Sequence, residues 1–168
     1  VLGVKYQDVL NYRGTDADDW FSADGFNTDG QIFLNSQVVV TTPGITQVAL
    51  LGLGGTDSFS FYGGPVLPWN AVVEGGDGAD SVWVYGDDVN VLTLWRVGDS
   101  NVHATGSGLT IVDMRGVELI EASNWLAGIT INGIDAGTTY DVTPTTQWDA
   151  TVIAGSSPVI HIETTSTF

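Results

Sequence analysis

Short runs of alternating apolar and polar residues follow one another along almost the whole chain. They mark strand candidates at 8–12, 19–23, 31–34, 37–42, 46–51, 57–62, 71–74, 80–85, 89–95, 108–113, 117–122, 128–132, 138–143, 150–154 and 158–163. Gly, Asp, Asn or Pro separates most neighbours, as expected of turns between half-buried strands. One stretch reads two ways. In Val117–Leu126, Leu119, Ala122 and Leu126 sit at helical spacing, but the start lacks a cap and Gly128-Ile129-Thr130-Ile131 follows, which favours a strand. The pattern predicts an all-β chain.

The turns between these strands repeat. Gly75-Gly76-Asp77-Gly78-Ala79-Asp80-Ser81-Val82-Trp83 has the form G-G-x-G-x-D-x-U-x, with U apolar, the nine-residue pattern of calcium-binding β-solenoids. Gly52-Leu53-Gly54-Gly55-Thr56-Asp57-Ser58-Phe59 keeps the first Gly, the fourth Gly, the Asp and the apolar position. Gly14–Ser22 keeps the first Gly, Asp19 and Phe21 but has Ala17 in fourth place, and Gly133–Val142 has Thr138 where the Asp belongs. The frames begin at 14, 52, 75 and 133, so their spacings are 38, 23 and 58 and are not multiples of nine. A tandem nonapeptide roll is thereby excluded. Coils of roughly 20 residues, each with two or three short strands, fit better, and they place Gly52–Asp57 beneath Gly75–Asp80.

These turns resemble the calcium-binding repeats of the repeats-in-toxin class. The wider frame resembles the degenerate β-solenoid regions of large bacterial cell-surface and secreted proteins, in which such turns alternate with segments like Gly116-Val117-Glu118-Leu119-Ile120. The resemblance implies calcium-assisted folding outside the cell. Calcium takes six to eight oxygens, and two stacked turns offering carbonyls and carboxylates would supply much of that shell. The expected ligands are the side chains of Asp57 and Asp80 and the carbonyls of Gly52, Gly54, Gly75 and Asp77, with Asp19 as a weaker candidate. Without a cation, two carboxylates about 4 Å apart would repel by about 4 kcal/mol at an effective dielectric near 20. The bare alternative is that the Asp residues cap their turns through backbone N–H groups.

Composition narrows the function. Twenty acidic residues against four basic ones, Lys5, Arg13, Arg96 and Arg115, give a net charge of −16, and the basic residues stand singly. Nothing here could neutralise a row of phosphates, so nucleic acid and anionic membrane surfaces are poor partners. No apolar run is long enough to predict membrane insertion. The chain has no cysteine, which removes disulfides and thiolate metal sites. It opens on Val1 without a basic segment leading into an apolar one, so any export signal is expected outside this sequence.

Six tryptophans invite a sugar-binding reading. Trp20 and Trp83 fall out of phase with the inward Phe21 and Val82, so both should face outward, where indoles stack on sugar rings or on a protein partner. Trp69, Trp95, Trp125 and Trp148 are expected in the core or at coil ends. A polysaccharide lyase of β-helical form would need clustered cations, and a hydrolase would need converging carboxylates, which Asp87, Asp88 and Asp113 do not establish. His103 and His161 lie in alternating strands without evident partners. Both chain ends read as strands, which suggests end-to-end strand pairing. The expectation is a single-domain parallel β-solenoid, with a β-sandwich as the alternative fold. Its role would be structural, in a filament, surface layer or surface display, as a homo-oligomer outside the cell. A carbohydrate-binding adhesin comes next and a β-helical polysaccharide enzyme third.

Overall fold

The computed structural model describes residues 8–25, 29–62, 67–85, 91–96, 101–106, 109–123, 128–132, 141–144, 149–153 and 159–163. Over these the chain is all-β. In order the strands are β1 (Val9–Arg13), β2 (Trp20–Asp24), β3 (Gln31–Leu34), β4 (Val40–Thr41), β5 (Gln47–Gly55), β6 (Ser58–Tyr62), β7 (Asn70–Gly78) and β8 (Ser81–Tyr85). They continue as β9 (Val91–Arg96), β10 (Asn101–Gly106), β11 (Leu109–Arg115), β12 (Leu119–Ser123), β13 (Gly128–Asn132), β14 (Asp141–Pro144), β15 (Asp149–Ile153) and β16 (Val159–Glu163). Within the ambiguous stretch at 117–126, Leu119–Ser123 is a strand and not a helix, entered by a turn at 117–118. Residues 124–127, the fourth turn frame at 133–140, Asp87, Asp88, Trp125 and Trp148 lie outside the described residues.

Two sheets share one core. The first has the order β1-β5-β7-β11-β10-β9-β13 and the second β14-β15-β16-β12-β8-β6-β2-β3-β4. Among the described residues, four turns lead from a strand of the first sheet into the second: β1 to β2, β5 to β6, β7 to β8, and β11 to β12. These four rungs stack in parallel and in register, so that Val48 lies between Leu10 and Ala71, and Phe59 between Phe21 and Val82. Register turns sequence alternation into columns. Tyr12, Leu50, Val73 and Met114 form one inward column of the first sheet. Phe21, Phe59, Val82, Ile120 and Ile160 form the facing column of the second, all buried. Phe21 and Phe59 stack at 4.8 Å between ring centroids, and Tyr12 meets Phe21 edge-on at 6.3 Å. Such pairs add to the stabilisation from burial alone.

The pairing is not parallel throughout, contrary to a uniformly wound solenoid. The segments between rungs carry their own alternating patterns and fold back as antiparallel strands that extend the same sheets. β3 joins the edge of β2, β10 lies against β11, and β15 lies against β16. The result is two mixed sheets face to face, the arrangement of a sandwich, with a parallel stack of rungs at its centre. Trp69 is buried against this core, its indole N–H donating to Thr42 Oγ1 at 2.8 Å.

Candidate functional site: a column of buried carboxylates

The turns joining the two sheets bring Asp19, Asp57 and Asp80 into one line. Asp57 and Asp80 are each only 1% exposed, and Asp19 is buried beside them. Each backbone N–H bonds to the carboxylate of the next rung. Asp19 N–H donates to Asp57 Oδ1 at 2.8 Å, Asp57 N–H to Asp80 Oδ1 at 2.8 Å, and Asp80 N–H to Glu118 Oε2 at 2.7 Å. Their sequence intervals are 38, 23 and 38 residues. One carboxyl oxygen per residue therefore serves as a cross-rung acceptor, satisfying a turn amide that a strand ladder would leave unpaired.

Glu118 as the fourth member is the main departure from the sequence reading, which looked for the next copy at Gly133. The Gly116–Glu118 turn is shorter than the others, and the extra methylene of Glu lets its carboxylate reach the position that Asp holds elsewhere. Its distinctive G-V-E-L-I spacing was visible, but its equivalence to a longer turn became visible only through the register of β12 on β8. The first frame, which lacks the fourth glycine, nevertheless takes a full place in the stack. Asp18 strengthens it from the outer side, where its Oδ1 accepts from Thr56 N–H at 2.8 Å.

Glycines line the other side of the column. A Cβ on Gly52 would collide with Asp57 Oδ2 and the Gly75 carbonyl oxygen, and one on Gly75 with Asp80 Oδ2 and the Gly116 carbonyl oxygen. On Gly14 it would lie 2.5 Å from Asp19 Oδ2 and 2.9 Å from the Gly52 carbonyl oxygen. The same niche thus recurs three times: a glycine, the carboxylate of its own turn, and the glycine carbonyl of the following rung. The niches differ in one respect. Asp19 Oδ2 accepts from Thr15 N–H at 2.5 Å and from Thr15 Oγ1 at 2.9 Å. Asp57 Oδ2 and Asp80 Oδ2 are buried without any hydrogen-bond partner. The residues in Thr15's place, Leu53 and Gly76, take φ values of 84° and 112° and pair with one another across rungs, and neither amide serves the carboxylate of its own turn.

These surroundings set the charge states apart. Burial is the largest influence on Asp57 and raises its pKa. The N–H of Asp19 works against this, while the charges of Asp80, Asp19 and Asp18 add to it, and the net direction is upward. Asp80 is also raised, first by burial and then by Glu118, against the N–H of Asp57. For Asp19 burial is again the largest single influence, but bonds from the Thr15 amide, the Asn35 side chain and the Thr15 hydroxyl together bring the net direction below the ordinary aspartate value.

The structure brings Asp57, Asp80, Asp19, Gly52 and Gly75 together. It leaves Gly54 and Asp77 further along the turn, half-buried and exposed respectively. Among the described residues no three His, Asp or Glu side chains converge as metal ligands. In each glycine niche a carboxylate oxygen and a carbonyl oxygen lie side by side, the two kinds of oxygen that calcium takes as ligands. One oxygen of each carboxylate is already committed to an amide.

A second feature lies on the outer face of the second sheet. Trp20 is 47% exposed and Trp83 half-buried, both outward as expected from their phase. Trp83 and Tyr85 lie near-parallel at 6.2 Å, and Tyr85 stacks on Tyr62 at 4.7 Å. A groove of about 340 Å³ is bounded by Trp20, Ser22, Asp24, Phe33, Asn35 and Tyr62. Both histidines, contrary to expectation, have carboxylate partners on neighbouring strands: His103 Nδ1 meets Asp113 Oδ1, and His161 Nδ1 meets Glu121 Oε2. No family model, curated protein or solved structure matches the chain at a significant level.

Proposed function

We propose that the chain is a structural module of a secreted or cell-surface protein, a short β-solenoid-like stack whose role is self-assembly or display. The observation that carries this reading is the uneven finish of the rung stack. β3, β10 and β15 lie against β2, β11 and β16, so added antiparallel strands cover three ends of the parallel stack. β1, at the fourth, pairs with β5 alone among the described residues. An open edge beside a regular stack is a template for strand addition. The inward side chains hold β1 in register, so a second copy would meet a preformed edge. Light scattering coupled to size-exclusion chromatography, over a range of concentrations and with calcium or chelator, tests it. Dimers or longer species growing with concentration are expected, and a monomer throughout would overturn the role.

A second reading, a carbohydrate-binding surface, is favoured by the groove beside Trp20. Its aromatic walls suit the apolar face of a sugar ring, and Ser22 and Asp24 stand at its polar side. The net charge of −16 favours a neutral glycan over an acidic one. Binding on a glycan array that is lost in Trp20→Ala would support it, and an empty array would remove it.

A further inference from the structure

The outer face of the second sheet sets side chains in rows that cross β3, β2, β6 and β8. Strand register places Phe33, Ser22, Ser60 and Trp83 in one row, and Gln31, Asp24, Tyr62 and Tyr85 in the next. Ser22 is the small residue at the middle. Trp20, Phe33 and Tyr62 stand around it as walls of the groove of about 340 Å³, and Asp24 adds a carboxylate two residues further along the same strand. Two of the three rings are held in place. Trp20 Nε1 donates to Ser60 Oγ at 3.2 Å, which ties the indole across to β6. Tyr62 has one face stacked on Tyr85, with ring centroids 4.7 Å apart and 5° between the planes. That separation matches the spacing of neighbouring strands, so the stacking runs along the row, and the other face of Tyr62 turns towards Asp24 and the groove.

The face of an aromatic ring carries partial negative charge and a carboxylate carries a full one, so the groove attracts positive charge from several sides. Among the described residues no strand of the second sheet carries Lys or Arg: Arg13, Arg96 and Arg115 belong to β1, β9 and β11 of the first. The net charge of −16 adds a longer-range attraction for cations. A primary ammonium is strongly hydrated and gains little from an apolar wall. A quaternary ammonium carries the same charge inside a shell of methyl groups, and it suits aromatic walls and a carboxylate together. We propose that the groove binds a quaternary ammonium group, that of a small choline-like solute with no negative charge of its own. Its methyl groups lie against Trp20, Phe33 and Tyr62, and Asp24 offsets its charge. The volume is at the lower end of small-ligand sites and suits such a headgroup with a short substituent. Neither reading of function above assigns this ligand. A sugar needs no charge to bind here, and a monomeric chain would take up the cation as well as an assembled one.

The test titrates the intact chain with choline chloride and, separately, with its neutral tert-butyl isostere, in which carbon replaces the nitrogen. Tryptophan fluorescence and amide NMR shifts are followed. Choline is expected to bind in the millimolar range, with shifts centred on β2, β3 and β6, and the neutral alcohol about tenfold more weakly. Tyr62→Leu keeps apolar bulk but removes an aromatic face, so it should erase most of choline's advantage over the alcohol. Trp20→Phe, which keeps a ring, should bind choline better than Trp20→Ala. Asp24→Asn should weaken choline by about threefold and leave the alcohol unchanged. No binding of choline, or equal binding of choline and the alcohol, would overturn the proposal. Choline binding that Tyr62→Leu and Trp20→Ala leave unchanged would overturn it too. The two ligands are compared on the native chain, so their ratio decides the matter even where a variant melts early.

Discussion

Replacing Gly75 by Ala separates the stacking of the turns from the conformational freedom of glycine. Gly75 has a φ outside the left-handed region, so alanine is allowed there by backbone conformation, but its Cβ collides with the Gly116 carbonyl and with Asp80. Neither obstacle yields easily, because the Gly116 carbonyl belongs to the next rung and Asp80 is held by hydrogen bonds to the rungs on both sides. Overpacking costs about 1–3 kcal/mol. Displacing Asp80 also strands the buried N–H of Asp57, for about 1–3 kcal/mol more. A total near 4 kcal/mol corresponds to a melting temperature lower by roughly 8–16 °C in a chain of this size. Gly44→Ala is the opposite case. Gly44 has φ +77° and nothing within 4 Å of its Cβ position, so its cost is backbone strain alone, about 1–2 kcal/mol. Circular-dichroism melts and urea titrations of both variants compare the two costs. Equal losses, or a smaller loss for Gly75→Ala, would refute the close stacking of glycine on carboxylate.

Two further outcomes follow from the core and the column. Phe59→Ala removes a fully buried ring stacked on Phe21, and urea unfolding should show a loss of about 3–5 kcal/mol. The folded pKa values of Asp57 and Asp80 lie above their unfolded values, so the native chain binds more protons than the unfolded one between them. Their contribution is greatest below the ordinary aspartate value and is lost as pH rises through the raised values. Asp19, shifted down, contributes above the ordinary value and loses that contribution as pH falls through its lowered one. Melting temperature followed against pH should therefore fall on the alkaline side less steeply in Asp80→Asn than in the native chain.

Much of this was legible because alternation survives folding. The inward phase of Phe21, Phe59 and Val82, the outward phase of Trp20 and Trp83, and the stacking of Gly52–Asp57 on Gly75–Asp80 all follow from period two and one repeated turn. β10 was missed because Asn101-Val102-His103-Ala104-Thr105-Gly106 offers only Val102 and Ala104 as inward residues, too little apolar contrast to stand out. β5 and β7 run through the glycines that sequence reading took as their ends, because Leu53, Gly54 and Gly55 pair in register with Gly76, Asp77 and Gly78. The carboxylates stood out by their place in the turn. Their inward direction was not readable, since an Asp after a glycine turn looks the same whether it faces an ion, solvent or the amide of another rung. Glu118 escaped because its turn differs in length, and length differences are reconciled only by register in three dimensions.

The central claim, that buried carboxylates join successive rungs, is tested most directly by amide hydrogen exchange at Asp19, Asp57 and Asp80. All three sit in or beside turns, where amides ordinarily exchange fast. If each donates to the carboxylate of the next rung, their protection should match that of core-strand amides such as those of Phe59 and Val82. Exchange as fast as that of the exposed turn residues would contradict the column.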